Sequence, residues 1–204
     1  MTLDRFRPIA ARVLNPFVDL SVRAGLTPNT VSIAAVGLAV AAGLAFALAG
    51  DEPSLYLFGA VLVFLNGWFD LLDGAIARRL DTTSSAGDLI DHVLDRYADI
   101  VVIVGLAAGV ERYGIGLAAV TGVLMTSYLG TQAQAVGLDR VYGGLVGRAD
   151  RLALIGIGGV LAAFVHGRVY GITIIGWLLV LFAIVGHLTA IQRFYHALRA
   201  LDTN

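Results

Sequence analysis

The chain has 204 residues, of which 58% are hydrophobic and only 14% charged, with a mean hydropathy of +0.82 and a formal net charge of −1. A soluble domain is about 45–50% apolar and about 25% charged, so this composition describes an integral membrane protein, and the near-neutral balance argues against a nucleic-acid partner. Cysteine and lysine are both absent, which excludes disulfides, thiolate metal sites, a cysteine nucleophile, lysine Schiff bases and the P-loop.

Residues 1–25 carry Arg5, Arg7, Arg12 and Arg23 without the continuous apolar core of a cleavable signal peptide. On a helical wheel Phe6, Ile9, Val13, Phe17 and Leu20 share one face, and Arg5, Arg12, Asp19 and Arg23 gather on another. Such an arm either lies in the membrane interface or packs on the protein itself, and Pro8 and Pro16 predict that it is bent or interrupted.

A spanning helix needs about 20 mostly apolar residues. Six segments qualify as candidates: 29–49, 55–79, 87–108, 114–136, 150–166 and 171–193. Breaks fall at Gly50 to Pro53, Asp81 to Ser85, Gly109 to Gly114, Gly137 to Gly147, and His166-Gly167. The expected fold is an all-α integral membrane protein: one domain over 1–204, with an interfacial amphipathic arm at 1–25 and a six-helix transmembrane bundle at 26–200. With six spans, Arg5, Arg7, Arg12, Arg23, Arg78, Arg79, Arg140, Arg148, Arg151, Arg193 and Arg199 fall on one side, against Arg112 and Arg168 on the other. The positive-inside rule then puts both termini, and the polar ends of the second and third spans, in the cytoplasm.

Those ends hold the chain's most unusual feature. Asp70 and Asp73 are three residues apart and share a helix face; Asp91 and Asp95 are four apart and share another. A charged side chain at the bilayer centre costs roughly 2.5–3.5 kcal/mol on insertion scales, so intramembrane carboxylates face a polar cavity and mark function. The short connection makes the two helices antiparallel neighbours able to pool their carboxylates. Four oxygen ligands, without thiolate, favour a hard divalent cation such as Mg²⁺ or Mn²⁺, completed by water and substrate phosphates. Gly74 and Ala77 leave room for a ligand to approach the backbone, and Arg78 could pair with a phosphate.

The pattern DxxDGxxAR, eight residues, then GxxxDxxxD is filled at every fixed position by Asp70, Asp73, Gly74, Ala77, Arg78, Gly87, Asp91 and Asp95. It resembles the signature of the CDP-alcohol phosphotransferases, and the resemblance extends to the six-span layout, the arm and the Leu26-Thr27-Pro28-Asn29-Thr30 approach to the first span. It implies a phospholipid-synthesising transferase that moves a phosphatidyl-type group from a CDP-lipid to an alcohol and releases CMP. By motif position Asp70, Asp73, Asp91 and Asp95 hold two Mg²⁺ or Mn²⁺ ions, and Asp95 is also the general base. Gly74, Ala77, Arg78 and Ser84 line the CDP pocket, which Asn29, Thr30, Val31 and Ser32 close. A homodimer, with lipid entering sideways from the bilayer, is the family expectation. The chain also resembles archaeal members, which carry archaeol in place of diacylglycerol; both lipids stay open.

Arg148, Arg151 and Arg193 are the candidates for binding a phosphate on the acceptor; arginines at a cytoplasmic mouth also serve simply to set topology. The stretch Ser127 to Gln134 lacks the arginines expected of inositol-phosphate users, which leaves inositol phosphate, glycerol phosphate and serine open, with Arg148 and Arg151 favouring a phosphate-bearing polyol such as inositol phosphate or glycerol phosphate. Asp88 reads as a solvated first-turn acid, Asp99 as an ion pair with Arg96, and His92 as turned away from the carboxylates. His166, His187 and His196 carry no spacing signal. Gly59 and Gly67, Gly116 and Gly122, and the three glycines Gly156, Gly158 and Gly159 read as close-packing positions. The rival from another class is a cation carrier binding its ion through intramembrane aspartates; it predicts an internal repeat, which the sequence does not show.

Overall fold

A computed structural model describes residues 7–138 and 146–202, with the side chains of 7–12 left out of the description. Arg5, Phe6, Arg140 and the side chains of Arg7, Pro8, Ile9 and Arg12 therefore lie outside the described residues. Seven helices follow in order: α1 (Arg7–Arg23), α2 (Pro28–Leu48), α3 (Ser54–Arg79), α4 (Ser85–Gly109), α5 (Tyr113–Ala135), α6 (Arg148–Phe164) and α7 (Ile174–Asp202). No strand occurs among the described residues; one isolated bridge closes the Val169–Ile172 turn.

Local chemistry explains where the helices begin. Thr27 caps α2 by accepting the Thr30 N–H at 3.3 Å, and Pro28 opens the first turn, where its missing N–H costs nothing. Ser84 caps α4 by accepting the Gly87 N–H at 3.1 Å. Asp150 accepts the Gly147 N–H at 2.9 Å, which fixes the start of α6. Beyond the helix starts, α1 runs on through Pro16 and is not interrupted there. Leu14 and Val18 bury themselves with Val31, Leu72 and Ile76, and this packing against α2 and α3 outweighs the one backbone bond that proline removes. Val13, Phe17 and Leu20 stay exposed on the other face, so the arm both packs on the protein and presents an apolar surface.

Among the described residues, four helices, α2, α3, α5 and α7, are long and apolar enough to cross a membrane. α4 carries Asp88, Asp91, Asp95, Arg96 and Asp99, and α6 has 17 residues with Arg148, Asp150 and Arg151 in its first turn. α7 runs to Asp202, nine residues beyond the expected end of the last span. The core lies among α2 to α7 around Phe46, Ile103, Leu106, Leu179 and Phe182. α2 and α4 touch backbone to backbone: a Cβ on Gly43 would come 2.7 Å from the Val101 carbonyl oxygen, and one on Gly105 would overlap the Gly43 carbonyl. α5 and α7 meet in the same way at Gly122 and Gly186. Gly156 departs from the close-packing expectation, since nothing lies within 4 Å of a Cβ there. Contrary to the expectation from their short connection, α3 and α4 do not pack on one another: each lies along α2, and it is their side chains, Asp70 from α3 with Asp91 and Asp95 from α4, that meet across the gap.

Candidate metal centre

α3 delivers Asp70 and Asp73, and α4 delivers Asp91, Asp95 and Asp99 on successive turns of one face. One carboxylate oxygen from each of Asp70, Asp91 and Asp95 lies within 4.8 Å of the others, the one such group among the described residues. Asp73 stands apart from this trio. It is buried at 6% exposure, and its Oδ2 accepts the Ser32 hydroxyl at 2.6 Å, tying α3 to the first turn of α2. Three unneutralised carboxylates so close repel one another, and a hard divalent ion is the charge and the donor chemistry they fit.

The positive charge in the site comes from α6 and from α4 itself. Arg148 reaches Asp70 at 2.5 Å and Asp95 at 2.9 Å, one prong of its guanidinium on each. Arg151 is buried and donates to Asp99 at 2.6 Å. Arg96 stands 3.5 Å from Asp99 and 3.7 Å from Asp95, and its guanidinium contacts the Ser127 hydroxyl on α5. The Nε–H groups of Arg148 and Arg151 are buried and meet no acceptor. Arg151 also lines a small cavity with Thr126, Val146, Phe182 and Thr189, and the Thr189 hydroxyl in that cavity is buried without a partner. Arg193 is buried nearby, donating to the Thr126 carbonyl at 2.6 Å.

The family model for CDP-alcohol phosphatidyltransferase matches residues 25–189. The chain belongs to the CDP-alcohol phosphatidyltransferase family. Membership decides between the two readings of the aspartates: this is a membrane-embedded phospholipid-synthesising transferase, not a cation carrier. Archaetidylinositol phosphate synthase of Methanothermobacter thermautotrophicus is 30% identical over 98% of this chain and 95% of its own. Phosphatidylinositol phosphate synthase of Mycobacteroides abscessus is 33% identical over 95% and 86%. The crystal structure of Mycobacterium tuberculosis phosphatidylinositol phosphate synthase with CDP-DAG bound superposes with a TM-score of 0.77 at 27% identity, covering 91% of this chain and 94% of that one. The same protein in complex with manganese and citrate gives 0.77, covering 90% and 88%.

Against this family frame, the motif residues fall in three groups. Asp70, Asp91 and Asp95 converge, whereas Asp73 is bonded to Ser32. Gly74 lies under Arg78, whose Nη1 would be 3.3 Å from a Cβ there, and both sit on the exposed end of α3 with the half-buried Ala77. Ser84 spends its oxygen on the α4 cap, Asn29 and Thr30 are exposed in the first turn of α2, and the Val31 side chain is built into the apolar cluster under α1. His92 bonds back to the Asp88 carbonyl at 2.8 Å, and Asp88 is solvated, both as the sequence suggests.

Two residues were underrated by sequence reasoning. Asp99 reads as a local partner of Arg96, yet its tight partner is Arg151, 52 positions away. Arg148 reads as an acceptor ligand, yet it bridges two of the clustered carboxylates. The four-residue step Asp91, Asp95, Asp99 is the one signal that points to Asp99 as part of the site.

Proposed function

We propose that the protein transfers the phosphatidyl-type group of a CDP-lipid to the hydroxyl of inositol phosphate, releasing CMP. The observation that carries the acceptor is the pair of buried, acceptorless guanidinium N–H groups of Arg148 and Arg151 beside the carboxylates. A buried donor left unpaired is costly, and a bound phosphate would satisfy both. The names of the archaeal and bacterial relatives support inositol phosphate over glycerol phosphate or serine. Arg193 donates to the carbonyl of Thr126, which with Arg151 lines the small cavity beside the arginine pair.

Asp70, Asp91 and Asp95, with Asp73 behind them, would hold Mg²⁺ or Mn²⁺, two ions in all, which would supply neutralisation of the diphosphate and of the charge developing on the leaving CMP. The acceptor oxygen attacks the lipid-bearing phosphorus, the bond from that phosphorus to the bridging oxygen breaks, and CMP departs. Asp95, half-buried at the meeting point of α3, α4 and α6, takes the proton of the attacking hydroxyl. Gly74, Ala77 and Arg78 receive the cytidine diphosphate, closed by Asn29 to Ser32 and by Ser84. Six spans (α2 to α7), an interfacial α1, cytoplasmic termini and active site, one functional unit over 1–204 and a homodimer complete the reading. The length of α4 and the arginine asymmetry of the loops support it.

A panel of acceptors tests this with purified protein, Mn²⁺ or Mg²⁺, and CDP-diacylglycerol or CDP-archaeol. Inositol phosphate should yield the phosphatidylinositol-phosphate-type lipid by mass spectrometry. Product from glycerol phosphate or serine in its place would reassign the acceptor.

A further inference from the structure

The bridging position of Arg148 has a consequence for the order of binding. Its Nη1 and Nη2 take lone pairs from Asp70 on α3 and Asp95 on α4, two of the three carboxylates that can hold a cation. Arginine and metal thus draw on the same two side chains, and as like charges they repel. The Arg148 side chain is 16% exposed, so solvent screens that repulsion weakly. Asp99 offers Arg148 an alternative carboxylate, but its Oδ1 is 3.9 Å from Nε, beyond hydrogen-bond reach.

The charge of the whole cluster points the same way. Asp70, Asp73, Asp91, Asp95 and Asp99 set five negative charges against three positive ones from Arg96, Arg148 and Arg151. The balance is two negative charges, which repel a phosphate. The two divalent ions of the proposed site would reverse the sign, and metal on Asp70 and Asp95 would free a guanidinium whose Nε–H already lacks an acceptor.

We propose that Arg148 competes with the divalent cation for Asp70 and Asp95, and that its charge, once displaced, serves the acceptor's phosphate, so that metal loading strengthens acceptor binding. The proposal rests on the reading of the carboxylates as a metal site and of the arginines as the acceptor side. Coupling of this kind is reciprocal: phosphate must tighten metal by the factor by which metal tightens phosphate.

Mn²⁺ titration of the purified protein, followed by loss of the free-ion EPR signal, separates the possibilities without any turnover. Arg148→Gln should bind Mn²⁺ about ten-fold more tightly than wild type, within the usual roughly 5–150-fold range of such couplings. Added inositol phosphate should tighten Mn²⁺ on wild type but not on Arg148→Gln. Arg148→Lys keeps the charge and loses the two-pronged geometry. It should fall between the two, and it carries the test if the glutamine variant does not fold. Equal or weaker Mn²⁺ binding in these variants overturns the proposal, provided that wild type binds Mn²⁺ and Asp70→Asn does not. If wild type takes up no Mn²⁺, the metal-site reading falls and this proposal with it.

Discussion

At the scale of single residues, the site is a set of carboxylates with unequal partners. Asp95 has Arg148 at 2.9 Å and Arg96 at 3.7 Å, so it belongs to the clustered trio and pairs with two arginines as well. We expect Asp95→Asn to lower transfer by roughly 10²–10⁴-fold, the usual worth of a positioned base, while CDP-lipid binding measured separately changes little. Asp99 does a different job. Removing it leaves buried Arg151 without its carboxylate, and breaking a buried pair costs about 3–5 kcal/mol. Asp99→Ala should therefore lower the thermal midpoint in detergent, and Asp99→Ala with Arg151→Met should recover part of the loss. Residues three and four apart declare their shared face in the sequence, so Asp70, Asp73, Asp91 and Asp95 were legible there. The Arg151–Asp99 and Ser32–Asp73 contacts span 52 and 41 positions, and no local spacing encodes them.

At the scale of elements, the site depends on how closely α4 lies against α2 and where α4 begins. Gly105→Leu would drive a side chain into the Gly43 carbonyl, and neither backbone can yield without moving the carboxylates of α4 away from Asp70. We expect loss of Mn²⁺ binding together with a lowered unfolding temperature. Ser84→Ala removes the α4 cap, worth about 1 kcal/mol. Its effect should appear as faster amide exchange in the first turn of α4, with little change in the rest of the bundle. Runs of apolar residues locate every later helix to within a few residues at its start. The end of α7 escapes that signal, because hydropathy fades after Arg193 while the chain stays helical through a mixed, amphipathic sequence. α1 escapes it too: Pro16 suggests a break that the buried Leu14 and Val18 prevent.

At the scale of the whole molecule, α7 is about 43 Å long at 1.5 Å per residue, against a hydrocarbon thickness of about 30 Å, so it is long enough to extend beyond the hydrocarbon core. The native chain has no cysteine, which makes single-cysteine labelling clean. With cytoplasmic termini, Thr83→Cys between α3 and α4 should react with a membrane-impermeant maleimide only from the cytoplasmic side. Tyr170→Cys, in the exposed turn between α6 and α7, should react only from the opposite side. Labelling of both from one side would contradict six spans. The decisive measurement is CMP release by the purified protein from a CDP-lipid, with inositol phosphate present or omitted and with Mn²⁺ present or chelated. CMP should appear only when acceptor and metal are both supplied, and Asp95→Asn should release almost none. Metal-independent release, or none with any phosphate-bearing acceptor, would contradict the function derived from Asp70, Asp91, Asp95 and their arginines.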